Sequence, residues 1–188
     1  PKPITRSYSF ASDDRVKNSF NLIIKHVPGG IGSEYIHGLK IGEKMQFTAP
    51  FGKLTLQTPP TQQVLLISTG AGLSQHMSFL LSKGHLFPHV QFKMLIGVWN
   101  KQEIFYTREL QELKKHIAYF EHEFVLDQAP TDWTGKKGYV TQYFEELQYQ
   151  STPSTFYLCG NPAMIKSARD YLKDRQFPKD LIHAEAFV

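Results

Sequence analysis

Val64-Leu65-Leu66-Ile67-Ser68-Thr69-Gly70-Ala71-Gly72-Leu73-Ser74 is the stretch on which the reading of this chain turns. Its apolar opening suits a strand buried on both faces and is far too short to span a membrane. Two glycines then punctuate the chain, and Leu73–Leu81 carries the apolar spacing of a helix. A buried strand running through a Gly-rich turn into a helix is the first unit of a parallel α/β sheet. Toward the C-terminus the alternation continues. Strands are predicted at Val64–Ser68, Phe92–Val98, Tyr119–Val125, Thr155–Cys159 and Ile182–Phe187. Helices are predicted at Leu73–Leu81, Tyr106–Lys115, Thr141–Leu147 and Ala163–Lys173. Residues 61–188 therefore read as a parallel five-stranded α/β unit.

Toward the N-terminus the pattern changes at Thr58-Pro59-Pro60-Thr61, a stiff connection that no sheet accommodates. Before it lie short β-rich runs, Arg6–Ala11, Phe20–Val27, Met45–Thr48 and Leu54–Gln57, punctuated by Gly29-Gly30, Pro50 and Gly52. Ser33–Leu39 has the spacing of one or two helical turns. The chain opens without a Met and directly into a strand-like run, so an upstream portion is expected.

Composition narrows the function classes. Of 188 residues 41% are hydrophobic, enough to bury a core, and the net charge is +4. That excess is spread with no basic block, which fits anionic small molecules or an acidic partner and argues against nucleic acid. One cysteine, Cys159, excludes an internal disulfide, a Cys-based zinc site and an iron–sulfur cluster held by this chain alone. No apolar run reaches membrane length, so a cytoplasmic protein with no membrane span is expected.

Four short motifs carry chemistry. Thr69-Gly70-Ala71-Gly72 lets a backbone approach a pyrophosphate at a helix N-terminus, although alone it is also an ordinary tight turn. Cys159-Gly160-Asn161-Pro162-Ala163-Met164 is a second strand–turn–helix junction, with Pro162 suited to a first helical turn. Both turns fall at the carboxyl edge of one parallel sheet, where such folds bind ligands. Arg6-Ser7-Tyr8-Ser9 puts Arg6 and Tyr8 on one strand face and Ser7 and Ser9 on the other. Gly29-Gly30-Ile31-Gly32-Ser33 is another Gly-rich entry to a helix. A rival reading, Ser74 as a nucleophile with His183 as base, fails because His76 replaces the closing glycine of a nucleophile elbow. The histidines show no zinc spacing, and no metal site is expected.

In this order the motifs resemble the ferredoxin–NADP reductase-like flavoproteins. Arg6-Ser7-Tyr8-Ser9 is similar to the family's Arg-X-Tyr-Ser motif, and Gly30-Ile31-Gly32-Ser33 to its Gly-X-X-Ser turn. Thr69–Gly72 resembles its nicotinamide loop, Cys159–Met164 its Cys-Gly-X-Pro-X-Met segment, and Glu185-Ala186-Phe187 its acidic-plus-aromatic ending. The resemblance implies an α+β two-domain protein. A partial antiparallel β-barrel for FAD would occupy residues 1–60, and an α/β domain for NADH or NADPH residues 61–188. Three departures stand out: Gln75 where the family has Pro, Ser68 where Gly is frequent, and only the later part of the flavin barrel.

The roles it implies are specific. Arg6 would grip the flavin pyrophosphate, Tyr8 pack on the ring and Ser9 approach its reactive nitrogen. Ile31, Gly32 and Ser33 would cradle phosphate. Thr69, Gly70 and Gly72 would hold the nicotinamide nucleotide, together with Gly160, Asn161, Pro162 and Met164. Cys159 would lie beside the reacting ring, Phe187 cover the flavin, and Glu185 govern a proton or an orientation. Ser9, Cys159 and Glu185 form the expected catalytic set. The activity implied is hydride transfer from nicotinamide to FAD, then single electrons to a protein or small-molecule acceptor, such as a ferredoxin-like protein, an oxygenase component or another electron carrier. Trp99 stands where NADP users often carry Arg, which tilts coenzyme choice toward NADH, with Lys101 a residual point charge for phosphate. The alternative is a non-redox nucleotide-binding or regulatory subunit whose flavin site is degenerate.

Overall fold

The computed structural model describes residues 4–187. At its centre is strand β1 (Gln63–Thr69), in which Gln63 to Ser68 are all buried. It passes through a single 3₁₀ turn, Gly70–Gly72, into helix α2 (Leu73–Lys83). Next come β2 (Gln91–Val98), α3 (Thr107–His116), β3 (Phe120–Leu126), β4 (Lys136–Lys137), β5 (Ser154–Gly160), α4 (Pro162–Asp174) and β6 (Ile182–Ala186). The sheet order is β4-β3-β2-β1-β5-β6, with every neighbouring pair parallel. The chain steps outward from β1 to β4 and returns to β5 on the other side, so the order reverses at the β1/β5 boundary.

Alternation along the strands builds two cores. Val64, Leu66, Phe92, Met94 and Ile96 face α2 and α3, meeting Leu73, Met77, Leu110 and Leu113. Leu65, Ile67, Leu95, Phe156 and Leu158 face the opposite layer, meeting Ile165, Ala168 and Leu172 of α4. Fully buried aliphatic side chains of this kind each contribute roughly 1.5–3 kcal/mol, so this double-sided sheet carries most of the apolar burial.

Two expectations for this half are corrected. The sheet has six strands, not five, because β4 joins it through two residues paired to Val125 and Leu126. Lys136-Lys137 offers no apolar pattern, so only the neighbouring strand reveals it. The predicted helix Thr141–Leu147 is instead two 3₁₀ turns, Val140–Tyr143 and Glu145–Leu147. Val140, Phe144 and Leu147 are buried as the spacing required, yet the bonds run three residues back, and Gln148 ends the run at φ 57°.

Residues 4–62 depart further from expectation. Among the described residues they hold one helix, α1 (Ile31–Gly38), and one antiparallel bridge, Phe10 to Leu22, with Ala11 N donating to Asn21 O at 2.8 Å. Among the described residues the expected barrel runs Arg6–Ala11, Phe20–Val27, Met45–Thr48 and Leu54–Gln57 form no ladder beyond that bridge. A strand-like pattern reports which side chains share a face, whereas a ladder needs a second backbone within hydrogen-bonding reach. Among the described residues of this segment, the Phe10–Leu22 bridge alone meets that need. The segment nevertheless docks on the sheet unit. Ala11 and Leu56 are buried in the α2/α3 core, and Leu54 and Ile23 pack against it. Gln57 N donates to Tyr157 Oη at 2.8 Å, Gln75 Nε2 to Leu54 O at 3.2 Å, and Asp14 N to Ser82 Oγ at 2.9 Å. Among the described residues no helix is long and apolar enough to cross a membrane.

Candidate functional site

A cleft of about 1340 Å³ opens where the carboxyl ends of the strands face residues 5–33. That is large for a small-molecule site, for which roughly 300–1,000 Å³ is usual, and roomy enough for dinucleotides. Its position at the β1/β5 reversal is the crevice that open parallel sheets offer to ligands. Arg6, Tyr8, Ser9, Ile31, Gly32, Ser33, Thr69, Gly70, Gly160, Asn161, Pro162, Met164, Glu185 and Phe187 all line it. Gly72 and Cys159 do not.

The N-terminal wall is built around Gly32. A Cβ there would fall 2.6 Å from Tyr8 Oη and 3.0 Å from Arg6 Cγ, so the missing side chain is what lets Arg6 and Tyr8 lie across α1. Gly30 caps α1 without a side-chain bond, which leaves its first-turn amides uncapped beside a positive dipole end. The Ser33 hydroxyl is spent locally, accepting from Val27 N at 3.1 Å and reaching Val27 O and Gly30 O. Ser33 therefore shapes the loop with its side chain and offers the cleft its backbone. Arg6 is exposed, and among the described residues its guanidinium donates only to Thr5 O.

The opposite wall is the pair of turns after β1 and β5. Gly160 has φ +125°, and a Cβ there would meet Thr69 Oγ1 at 2.5 Å and Thr69 O at 2.6 Å. Thr69 Oγ1 also accepts from Asn161 N at 2.8 Å, and Asn161 Oδ1 caps α4 by accepting from Ala163 N at 2.8 Å. Pro162 occupies the first turn as its ring geometry favours. Gly72 serves packing: a Cβ would lie 2.2 Å from Cys159 O, so the turn seats directly on the β5 backbone.

Cys159 is fully buried, between Ser68 of β1 and Glu185 of β6 in register. Burial, with Glu185 beside it, pushes the thiol up to about 12, so it stays protonated at neutral pH. Glu185 reaches the other wall. Its Oε1 accepts from Ser9 Oγ at 3.4 Å, a long contact that joins two predicted residues 176 positions apart. Phe187 is held by its amide, which donates to Gly160 O at 2.9 Å.

Sequence reasoning missed part of the rim. Asp127 and Tyr139 line the cleft just past the carboxyl ends of β3 and β4, and Lys25 and Glu103 line it from opposite walls. Position at a parallel strand end was the signal available for Asp127. Tyr139 carried none, because the short strand β4 before it was invisible in sequence. Trp99 and Tyr139 are both exposed at the rim, at 54% and 64%. Lys101 Nζ is paired with Asp132 at 3.2 Å, which holds that carboxyl below its usual range.

Comparisons with known proteins agree with this geometry. A family model described as an oxidoreductase NAD-binding domain matches residues 66–170, and one described as an oxidoreductase FAD-binding domain matches residues 1–56. NADH-cytochrome b5 reductase 2 of Aspergillus clavatus is 31% identical over 175 residues, which cover 88% of this chain and 53% of that protein. Ferredoxin–NADP reductase B of Sorangium cellulosum is 26% identical over 191 residues, covering 98% and 78%. The crystal structure of an Amycolatopsis cytochrome P450 reductase superposes with TM-score 0.88 at 24% identity, over 97% of this chain and 56% of that one. The chain thus spans about half the length of the first curated relatives it matches.

Proposed function

Since this chain belongs to the ferredoxin–NADP reductase-like flavoprotein oxidoreductases, we propose that it serves as an FAD-dependent NAD(P)H reductase. Residues 1–60 are its flavin unit and residues 61–188 its nicotinamide unit. Bound FAD supplies the exchange between two-electron hydride chemistry and single-electron delivery, which no side chain here can perform. The observation that carries the reading is the cleft itself, in which Arg6, Tyr8 and the α1 N-terminus face the Gly-rich turns after β1 and β5.

The residues fit the two dinucleotides. Arg6, free of any acidic partner among the described residues, and the uncapped amides of Ile31, Gly32 and Ser33 suit a diphosphate. Tyr8, whose hydroxyl lies over Gly32, brings an aromatic ring to the cleft for a flat heterocycle. Thr69, Gly70, Gly160, Asn161, Pro162 and Met164 form the nicotinamide wall, with Gly72 and Cys159 beneath it. Buried and protonated, Cys159 packs beneath the cleft between Ser68 and Glu185 and supplies no thiolate. Ser9 and Glu185 hold a hydroxyl proton between the walls, and Phe187 screens the cleft from water.

Coenzyme choice follows from charge. Trp99 offers a stacking face and no phosphate ligand, Lys101 is already paired to Asp132, and Asp127 adds a negative side chain to the lining. A 2′-phosphate there meets a carboxylate and a neutralised lysine, so NADH is favoured over NADPH. The acceptor is a protein electron carrier: names among the relatives include a cytochrome b5 reductase, a ferredoxin reductase and a dioxygenase electron transfer component.

Anaerobic addition of NADH to flavin-loaded protein tests the reading. Bleaching of the flavin band, with a higher kcat/KM for NADH than for NADPH, is expected. A colourless protein that binds nucleotide but takes no flavin would instead be the non-redox module.

A further inference from the structure

Lys25 and Glu103 form an ion pair unlike the others. Among the described residues it is the one that joins residues 4–60 to the sheet unit. Lys25 Nζ lies 2.8 Å from Glu103 Oε1, and the other carboxylate oxygen accepts from Trp99 N at 3.3 Å. All three residues line the cleft. Glu103 closes the short turn Lys101–Glu103, which Asn100 Oδ1 fixes by accepting from Gln102 N at 3.0 Å and Glu103 N at 3.3 Å. The carboxylate is thus tied at one oxygen to the flavin-side wall and at the other to the rim that carries the Trp99 ring. Lys25 also holds the Glu103 carboxyl below its ordinary range, so the tie persists through neutral pH.

We propose that Glu103 is a positioning residue for the dinucleotide coenzyme, setting the span between the Lys25 wall and the Trp99 rim across the cleft mouth. The inference rests on the reading of the cleft as a nicotinamide-dinucleotide site. A ligand gripped by two walls binds best when their separation is already fixed, because no ordering remains to be done on association. Glu103 takes no part in the electron transfer, so its effect falls on coenzyme binding. A competing role makes the opposite forecast. If Glu103 merely masks the charge of Lys25, removing its carboxylate frees a cation and tightens the hold on an anionic coenzyme.

The test is rapid-mixing reduction of the FAD-loaded full chain by NADH, which yields a half-saturating concentration and a limiting rate. Glu103→Gln keeps an oxygen for the Trp99 amide and loses the charge facing Lys25. Its half-saturating NADH concentration is expected to rise roughly threefold to fivefold, as suits one partly exposed pair, with the limiting rate unchanged. Glu103→Asp, which keeps the charge, recovers most of the affinity. In the background of Lys25→Met, Glu103→Gln has no further effect, because the two act as one unit. Unchanged or tighter NADH binding in Glu103→Gln, a fall in limiting rate alone, or multiplicative effects in the double variant would overturn the inference and leave the function standing. A wild-type protein that neither NADH nor NADPH reduces overturns the functional reading and the inference with it.

Discussion

His76 shows how a single buried residue links the fold to pH. It sits on α2 with no exposed surface, and among the described residues neither ring nitrogen has a hydrogen-bond partner. Burial drives its pKa down to about 3 from an ordinary 6.5. Between those values the unfolded chain binds a proton that the folded chain refuses, so stability falls as pH drops through this window and is fully present above it. His76→Leu removes that coupling. The slope of unfolding free energy against pH between 6.5 and 3 should shrink by up to about 1.4 kcal/mol per pH unit, measured by urea denaturation in a pH series. An unaltered slope would show that the ring is hydrated in the native state. Cys159 gives a second forecast at this scale. A buried thiol pushed up to about 12 should resist alkylation at pH 8 in the folded protein and react fully once denaturant exposes it. Mass spectrometry of iodoacetamide-treated samples reads both outcomes, and rapid labelling of folded protein would contradict the burial.

The turn between β1 and α2 makes its two glycines unequal. Gly72 seats on β5, where a Cβ would be 2.2 Å from a carbonyl oxygen that cannot move aside, while a Cβ on Gly70 meets nothing and only the φ of +50° resists it. Gly70→Ala should cost about 1–2 kcal/mol for the left-handed backbone. Gly72→Ala should cost more, on the order of 3 kcal/mol, because the turn must lift from the sheet. Denaturant midpoints compare the two directly, and equal losses would place the strain elsewhere. The contrast also marks what the sequence made legible. Thr69-Gly70-Ala71-Gly72 announced a turn at a strand end because glycines there have few other uses, but it did not announce which glycine faces a ligand and which faces protein. Strands β1, β2, β3 and β5 and helices α2, α3 and α4 were readable because each buries an apolar period long enough to count, and β6, only half-buried, was readable from its place after α4 in the alternation. Lys136-Lys137 was not, since pairing alone makes it a strand. The barrel runs are the mirror image, strand-like in pattern yet without a ladder among the described residues. Their pattern is present, but a partner backbone is not a property of the run itself.

At the scale of the whole molecule, the two halves are held by different physics. The sheet unit has long parallel ladders and two buried cores, whereas residues 4–62 carry one bridge and one short helix among the described residues. Amide hydrogen exchange should therefore divide near residue 62. Amides of β1, β2 and β5 should open only with global unfolding, and most amides of residues 4–62 should exchange by local opening far below that limit. Exchange followed by mass spectrometry settles this, and uniform protection across the division would show a ladder that the described contacts lack. The cleft has a further consequence for how the protein comes into being. One wall is made by residues 6–9 and 30–33, and the other is completed by β6 and Phe187. Arg6, Tyr8 and the α1 turn leave the ribosome before Glu185 and Phe187, so one wall is made before the other. Until β6 pairs with β5 there is no enclosed place for a dinucleotide to lie. Capture of a dinucleotide between both walls must then wait until β6 has been made, and a chain that stalls before β6 has no enclosed cleft, whatever the supply of flavin in the cell.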